Sequence, residues 1–141
     1  MEKEGEGVME EIVGKNIAEA FINEDKKSIL LVTKEGEKFY LNCDGDCCSE
    51  TWIEHIHGFY WLVKSTIKSV EEVYIGKVIP TRQDCDELYC LKIFMEQPKP
   101  WGSVSEFQIE FRNSSNGYYG GSIELSHSPL EGVYAPLKED F

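Results

Sequence analysis

The run Asn42-Cys43-Asp44-Gly45-Asp46-Cys47-Cys48-Ser49-Glu50-Thr51-Trp52 holds three of the chain's five cysteines beside two aspartates and a tryptophan. Thiols, carboxylates and an indole so close together can hold a metal, attack an electrophile or grip a small ligand. A second unusual run, Asn113-Ser114-Ser115-Asn116-Gly117-Tyr118-Tyr119-Gly120-Gly121-Ser122, follows Arg112. Its glycines would let a ligand approach backbone N–H groups. Its tyrosines offer stacking faces with hydroxyl tips, and Arg112 can grip a phosphate or carboxylate in a fork. Asn116-Gly117 is also a tight-turn signal in its own right. The two runs are expected to meet in space and line one hollow. Asp46, Cys47, Cys48, Ser49, Trp52, Arg112, Asn116, Tyr118, Tyr119, Gly120 and Gly121 are the candidate ligand-binding residues.

The metal and enzyme alternatives fit less well. Zinc wants four thiolate or imidazole ligands, and Cys43, Cys47, Cys48, Cys85, Cys90, His55, His57 and His127 are available. The spacings Cys43-x3-Cys47 and Cys85-x4-Cys90 are not the tight zinc-knuckle spacing, and Cys90 falls inside a strand pattern as a small buried hydrophobe. No metal or cofactor is therefore expected. Asp44-Gly45-Asp46 lacks the later ligands of a calcium loop. A cysteine nucleophile at a helix start would have a lowered pKa, but Asp46 and Glu50 oppose thiolate formation, and a histidine base must also lie in reach. Adjacent Cys47 and Cys48 would make only a strained vicinal bridge, and with no secretory signal in the chain the thiols are expected reduced. The expectation is binding without catalysis.

Charge narrows the partners. The net charge is -12, half of it at the two ends: Met1–Ile12 carries -4 and Glu131–Phe141 carries -2. Such a surface repels phosphate backbones, so nucleic-acid binding is not expected. It suits solubility or a basic protein partner. No apolar run approaches the ~18 residues of a membrane helix, and the acidic start resembles no secretory signal, so a cytosolic setting is expected. Assembly with further copies is left open.

The elements that must position these residues read mostly as strands. Residues 1–10 are charged and are expected to be disordered; residues 11–141 are expected to form one domain. Val13–Ile22 reads as a strand, with a short helix as the alternative. Ser28–Thr33 and Lys38–Cys43 form a hairpin about Glu35-Gly36. Thr51 with Glu54 has capping-box spacing, and Trp52, Ile53 and Ile56 would give a short helix one apolar side, closed by Gly58. Thr66–Ile75 reads as a strand and Gly76–Glu87 as a loop. Leu88–Glu96 is apolar on both faces, hence a central strand. Val104–Arg112 alternates, with Phe107, Ile109 and Phe111 inward. Ser122–Ser126 is a last short strand, and the chain from Pro129 reads as a loose tail. The expected fold class is α+β, mostly β: an antiparallel curled sheet of six to seven strands with one short helix after the third strand.

Three motifs, Gly14-Lys15-Asn16-Ile17, Gly45-Asp46-Cys47-Cys48-Ser49-Glu50-Thr51-Trp52 and Ser115-Asn116-Gly117-Tyr118-Tyr119-Gly120-Gly121-Ser122, resemble a family of small, mostly phage-encoded proteins without assigned function. The resemblance covers roughly residues 13–126. Cys43, Cys85 and Cys90 stand outside its pattern. It implies an accessory role, and counter-defence by sequestering a small anionic nucleotide-derived immune signal, of ADP-ribose or cyclic-nucleotide type, is the expected function. The helix start and loop amides would hold the phosphate, and Trp52, Tyr118 or Tyr119 would stack on the ring. The alternatives are an acidic inhibitor that blocks a host defence protein, and a cysteine- or metal-dependent enzyme.

Overall fold

The computed structural model describes residues 9–96, 104–117 and 119–141. A 3-10 turn at Met9–Ile12 precedes nine strands: β1 Ile17–Asn23, β2 Ser28–Thr33, β3 Lys38–Gly45, β4 Glu50–His57, β5 Thr66–Val78, β6 Cys85–Glu96, β7 Val104–Ser115, β8 Gly121–Ser126 and β9 Tyr134–Pro136. A single helical turn, α1 Phe59–Leu62, lies between β4 and β5. The strands build two antiparallel sheets, ordered β8-β3-β2-β1-β9 and β4-β7-β6-β5. Their inner faces share one apolar core, with Leu31, Leu41 and Leu125 from the first sheet and Ile53, Ile93, Phe107 and Phe111 from the second.

The expected single sheet of six to seven strands is therefore replaced by two sheets, of five and four strands. The pattern of inward residues is similar in either case, because alternation reports which side of a strand is buried and not which strand lies across the core. The hairpin of β2 and β3 is present, pairing Leu30 with Tyr40. β6 is an interior strand, between β7 and β5.

The helix expected after the third strand is also overturned: Thr51–His57 belongs to β4. A bulge between Ile53 and His55 inserts one residue. The inward positions become Thr51, Ile53 and Ile56, and the step of three from Ile53 to Ile56 imitates a helical stripe. The true helical turn comes after β4 and buries Leu62. Gly58 opens it in the left-handed region, at φ 81.

The segment after Pro129, expected to be a loose tail, is docked. β9 pairs with β1, Ala135 opposite Ile22. The Asp140 carboxylate accepts hydrogen bonds from the Gly58 and Phe59 amides at 3.0 and 2.8 Å, and the Phe141 carbonyl accepts from the Ile56 amide. The unpaired amides that open α1 thus find an acceptor 82 and 81 residues away in sequence. The expectation for residues 1–8 lies outside the described residues, while Met9–Ile12 buries Ile12 completely.

A Cβ at Gly58 would collide with the backbone carbonyl of Glu106, whereas one at Gly36, at φ 89, would meet nothing. Both positions carry the left-handed strain of about 1–2 kcal/mol, so urea unfolding of Gly58→Ala should show a larger loss than Gly36→Ala. Equal losses would mean that the helical turn does not press against β7 as described.

Candidate functional site

The chain changes sheets twice, and both crossings lie at one corner. β3 hands over to β4 through Asp46–Ser49, and β7 hands over to β8 through residues 116–120. Gly45 at the end of β3 pairs with Gly121 at the start of β8. The Asp46 amide donates to the Gly120 carbonyl at 3.2 Å, and the Ser49 hydroxyl donates to the same carbonyl at 3.1 Å. The two compositionally odd runs are thus neighbours.

The contact between them is tight. The Thr51 hydroxyl donates to Asn113 Oδ1 at 2.8 Å, and Asn113 Nδ2 donates to the Tyr119 carbonyl at 2.8 Å. Asn113 is fully buried. Gly121 sits against Thr51 and Asn113 so closely that a Cβ would overlap the Thr51 hydroxyl. The glycines here serve the close approach of two chain segments, a demand that backbone contact places on glycine generally. Clefts among the described residues lie beside Phe59 and Asp140, along β3 and β8 where Asn42, Cys43 and Asp44 of the first run line one side, and along β9.

Polar chemistry instead continues onto the outer face of the second sheet. Trp52 and Arg112 are register partners across β4 and β7, and Leu88 follows on β6. The loop 79–84 folds over this face. Its Gln83 amide donates to the Ser114 hydroxyl, and its Gln83 Nε2 donates to the Cys48 carbonyl at 2.8 Å. Its Arg82 guanidinium lies 4.0 Å from the centre of the Trp52 ring and pairs with Glu50. Cation–π contact of this kind suits a guanidinium on an indole.

Below lies a buried acid. The Asp86 side chain is 0% exposed. It accepts hydrogen bonds from the Ser114 hydroxyl at 2.5 Å and the Thr81 hydroxyl at 2.6 Å, and Arg112 Nε stands 3.5 Å away. Burial by itself would raise the Asp86 pKa, but the Ser114 and Thr81 hydroxyls and the Arg112 charge together hold it below the ordinary value. Arg112, with 14% of its side chain exposed, also faces Glu54 at 3.8 Å. Its Nε is buried with no hydrogen-bond partner.

The remaining candidates are placed as follows. Cys47 and Cys48 are exposed at the turn, their sulfurs 3.0 Å apart. Their amides donate to no described group. Since β4 is a strand, no helix end exists at Ser49 or Thr51 to bind phosphate or lower a thiol pKa; the expected helix-start contact is overturned with the helix. Asn116 is exposed, Tyr119 and Gly120 half-exposed; Tyr118 lies outside the described residues. Asp86, Arg82 and Gln83 belong to this corner but were not singled out from the sequence, and Asn113 was named there only as the first residue of the second run. Only the pairing of β6 with β7, which sets Asp86 opposite Ser114, brings the loop 79–84 here. His55 and His57 lie at the far end of β4 from the thiols. Among the described residues no three His, Cys, Asp or Glu side chains are placed to hold a metal.

The chain matches, over residues 10–125, a family described as a domain of unknown function, DUF7448. It belongs to that family. An uncharacterised protein of Acanthamoeba polyphaga mimivirus, L278, is 29% identical over 121 residues, spanning 77% of this chain and 85% of its own. Kinship with viral proteins of unassigned function, expected from the sequence, holds at that level. No solved structure matches the chain. No helix among the described residues is long and apolar enough to cross a membrane.

Two substitutions test the corner. Asn113→Ala should cost about 1–3 kcal/mol in urea unfolding, since it strands the buried Thr51 hydroxyl and the Tyr119 carbonyl; a neutral result would remove Asn113 as the link between the crossings. Asp86→Asn should cost about 3 kcal/mol near neutral pH, because Arg112 loses its buried counter-charge. The folded pKa of Asp86 lies below its ordinary 3.8, so its stabilisation is present above that value and is lost as pH falls through the depressed one. The gap between wild type and Asp86→Asn should stay constant above about pH 5 and close in more acid solution. A gap that widens on acidification would contradict the arrangement.

Proposed function

We propose that the protein is a non-catalytic binding protein of a viral accessory type, and that the inter-sheet corner takes a small anionic, ring-bearing ligand of nucleotide kind. Gly45–Trp52 and Ser115–Ser122 are then its family signature, built around one site. The observation that carries this reading is the Arg82 guanidinium on the Trp52 ring, beside two amides at Cys47 and Cys48 with no acceptor among the described residues. Arg82 belongs to a surface loop and is about half exposed. Swung toward a phosphate, it would leave the indole face open to a ring, and the phosphate would replace Glu50 as its partner. Exposed ion pairs such as Arg82–Glu50 are worth little, about 0–1 kcal/mol, so the exchange is cheap. Turn amides then take the part first given to a helix end. A phage origin and sequestration of an immune signal of ADP-ribose or cyclic-nucleotide type, in the cytosol of a host, complete the proposal.

A second reading rests on a separate surface. β5 is an edge strand, with Tyr74 and Ile75 half exposed and Ile79 just beyond it 83% exposed. An extended segment of a basic host defence protein could add to this edge, drawn by the net charge of -12.

Calorimetry with ADP-ribose and with cyclic mono- and dinucleotides separates the two. Binding is expected for at least one, and Trp52→Ala and Arg82→Ala should each weaken it about tenfold or more, the size of one lost stacking or charged contact. No heat with any of these ligands, or full affinity after Trp52→Ala, rules out the corner as a nucleotide site.

A further inference from the structure

We propose that Cys47 and Cys48 are a redox-active vicinal dithiol, which closes to a vicinal disulfide by exchange with a small-molecule disulfide and thereby loosens the Gln83 contact that ties the turn to the loop 79–84. This goes beyond ligand binding and stands whether or not the corner takes a nucleotide.

The geometry singles out this pair. Both thiols are exposed and their sulfurs are 3.0 Å apart. Two of the other thiols are shielded: burial pushes Cys43 up to about 12 and Cys90 up to about 11, where almost no thiolate forms at neutral pH, while Cys85 is half-exposed at the start of β6. Contact with Cys47 raises the Cys48 pKa; either sulfur of the pair can attack, and the steps below are written for attack by Cys47. Cys47 thiolate attacks one sulfur of a glutathione-type disulfide, and the first small thiol leaves as a mixed disulfide forms on Cys47. Cys48, losing its proton to water, then attacks Cys47 Sγ, and the second small thiol leaves. The protein loses two electrons and two hydrogens, and one small disulfide becomes two thiols.

Among the described residues the amides of Cys47 and Cys48 donate to no acceptor, and the turn they occupy is closed by the Ser49 amide on the Asp46 carbonyl at 2.8 Å, which ring closure must bend. The next peptide carries the Cys48 carbonyl, which accepts from Gln83 Nε2 and shifts with the turn. That bond ties the loop bearing Arg82 to the turn, and Gln83 Nε2 keeps only a longer contact, 3.2 Å, to the Ser114 carbonyl. Adjacent residues hold their Cα atoms about 3.8 Å apart, closer than ordinary disulfides span. The closed ring is therefore strained and readily reduced, the property of a switch and not of a staple.

The test uses the full reduced chain and oxidised glutathione, followed by alkylation and intact-mass and peptide analysis. Wild type should lose two hydrogens and two alkylation sites, both in the peptide containing Cys47 and Cys48, and regain them with dithiothreitol. Cys47→Ser and Cys48→Ser, whose folds are checked by circular dichroism, should each stop at one glutathione adduct. A stable glutathione adduct on wild type, a bridge between other cysteines, a disulfide-linked dimer, or no reaction each overturns the proposal. Hydrogen exchange supplies the second readout. Amides of residues 79–84 should exchange faster in the closed form, and unchanged protection overturns the coupling to the loop.

Discussion

The side-chain amide of Asn113 is the contact on which the rest of this structure depends. The chain leaves the first sheet once and returns to it once, and both passages run through the same corner. A passage between sheets interrupts the ladder hydrogen bonds, so buried polar groups near it need other partners. Asn113 supplies them in both directions, taking the Thr51 hydroxyl from one crossing and giving to the Tyr119 carbonyl of the other. Its neighbours on β7, Ser114 and Ser115, are buried as well. A strand that is apolar inward along Phe107, Ile109 and Phe111 thus turns polar where it approaches the corner.

This constraint explains much of the unusual composition without a ligand. Gly45 and Gly121 face each other because two backbones and a threonine hydroxyl crowd the same space. The Ser49 hydroxyl lies between the Asp46 and Gly120 carbonyls, at 2.9 and 3.1 Å, and links the turn to the second crossing. What packing leaves unexplained lies just outside: exposed Cys47 and Cys48 and the Trp52–Arg82 stack. These side chains contribute little to the core, yet they share one surface with the loop 79–84 as its cover. The proposed function draws on these groups because the packed part of the corner is already accounted for.

Electrostatics limits what such a surface can accept. Arg82 and Arg112 both face carboxylates, of Glu50, Glu54 and Asp86. Arg112 is fixed by a buried partner and acts as structure. Arg82 is held only by an exposed acid and a ring, and is the group free to change partners. A low-dielectric setting strengthens the inner pair and solvent screens the outer one.

The strands of the two hairpins β2–β3 and β6–β7, the inward residues of β7 and the nearness of the two odd runs were all legible in the sequence. They follow from local patterns: β-branched runs, alternation with a period of two, and glycine-rich turns. The helix at Thr51 was misread because a bulge changes the period within a strand, and a bulge depends on the partner strand opposite. The docked tail was missed because its contacts, Asp140 with Gly58 and Phe59, join positions far apart in the chain. Sequence by itself determined an acidic, strand-rich chain with two compositional anomalies. Only tertiary structure decided that the strands divide into two sheets, that both crossings share a corner, and that Asp86 and Arg82 stand beside it. The reason is physical: alternation encodes which side of a strand avoids water, while the choice of what covers that side belongs to long-range packing.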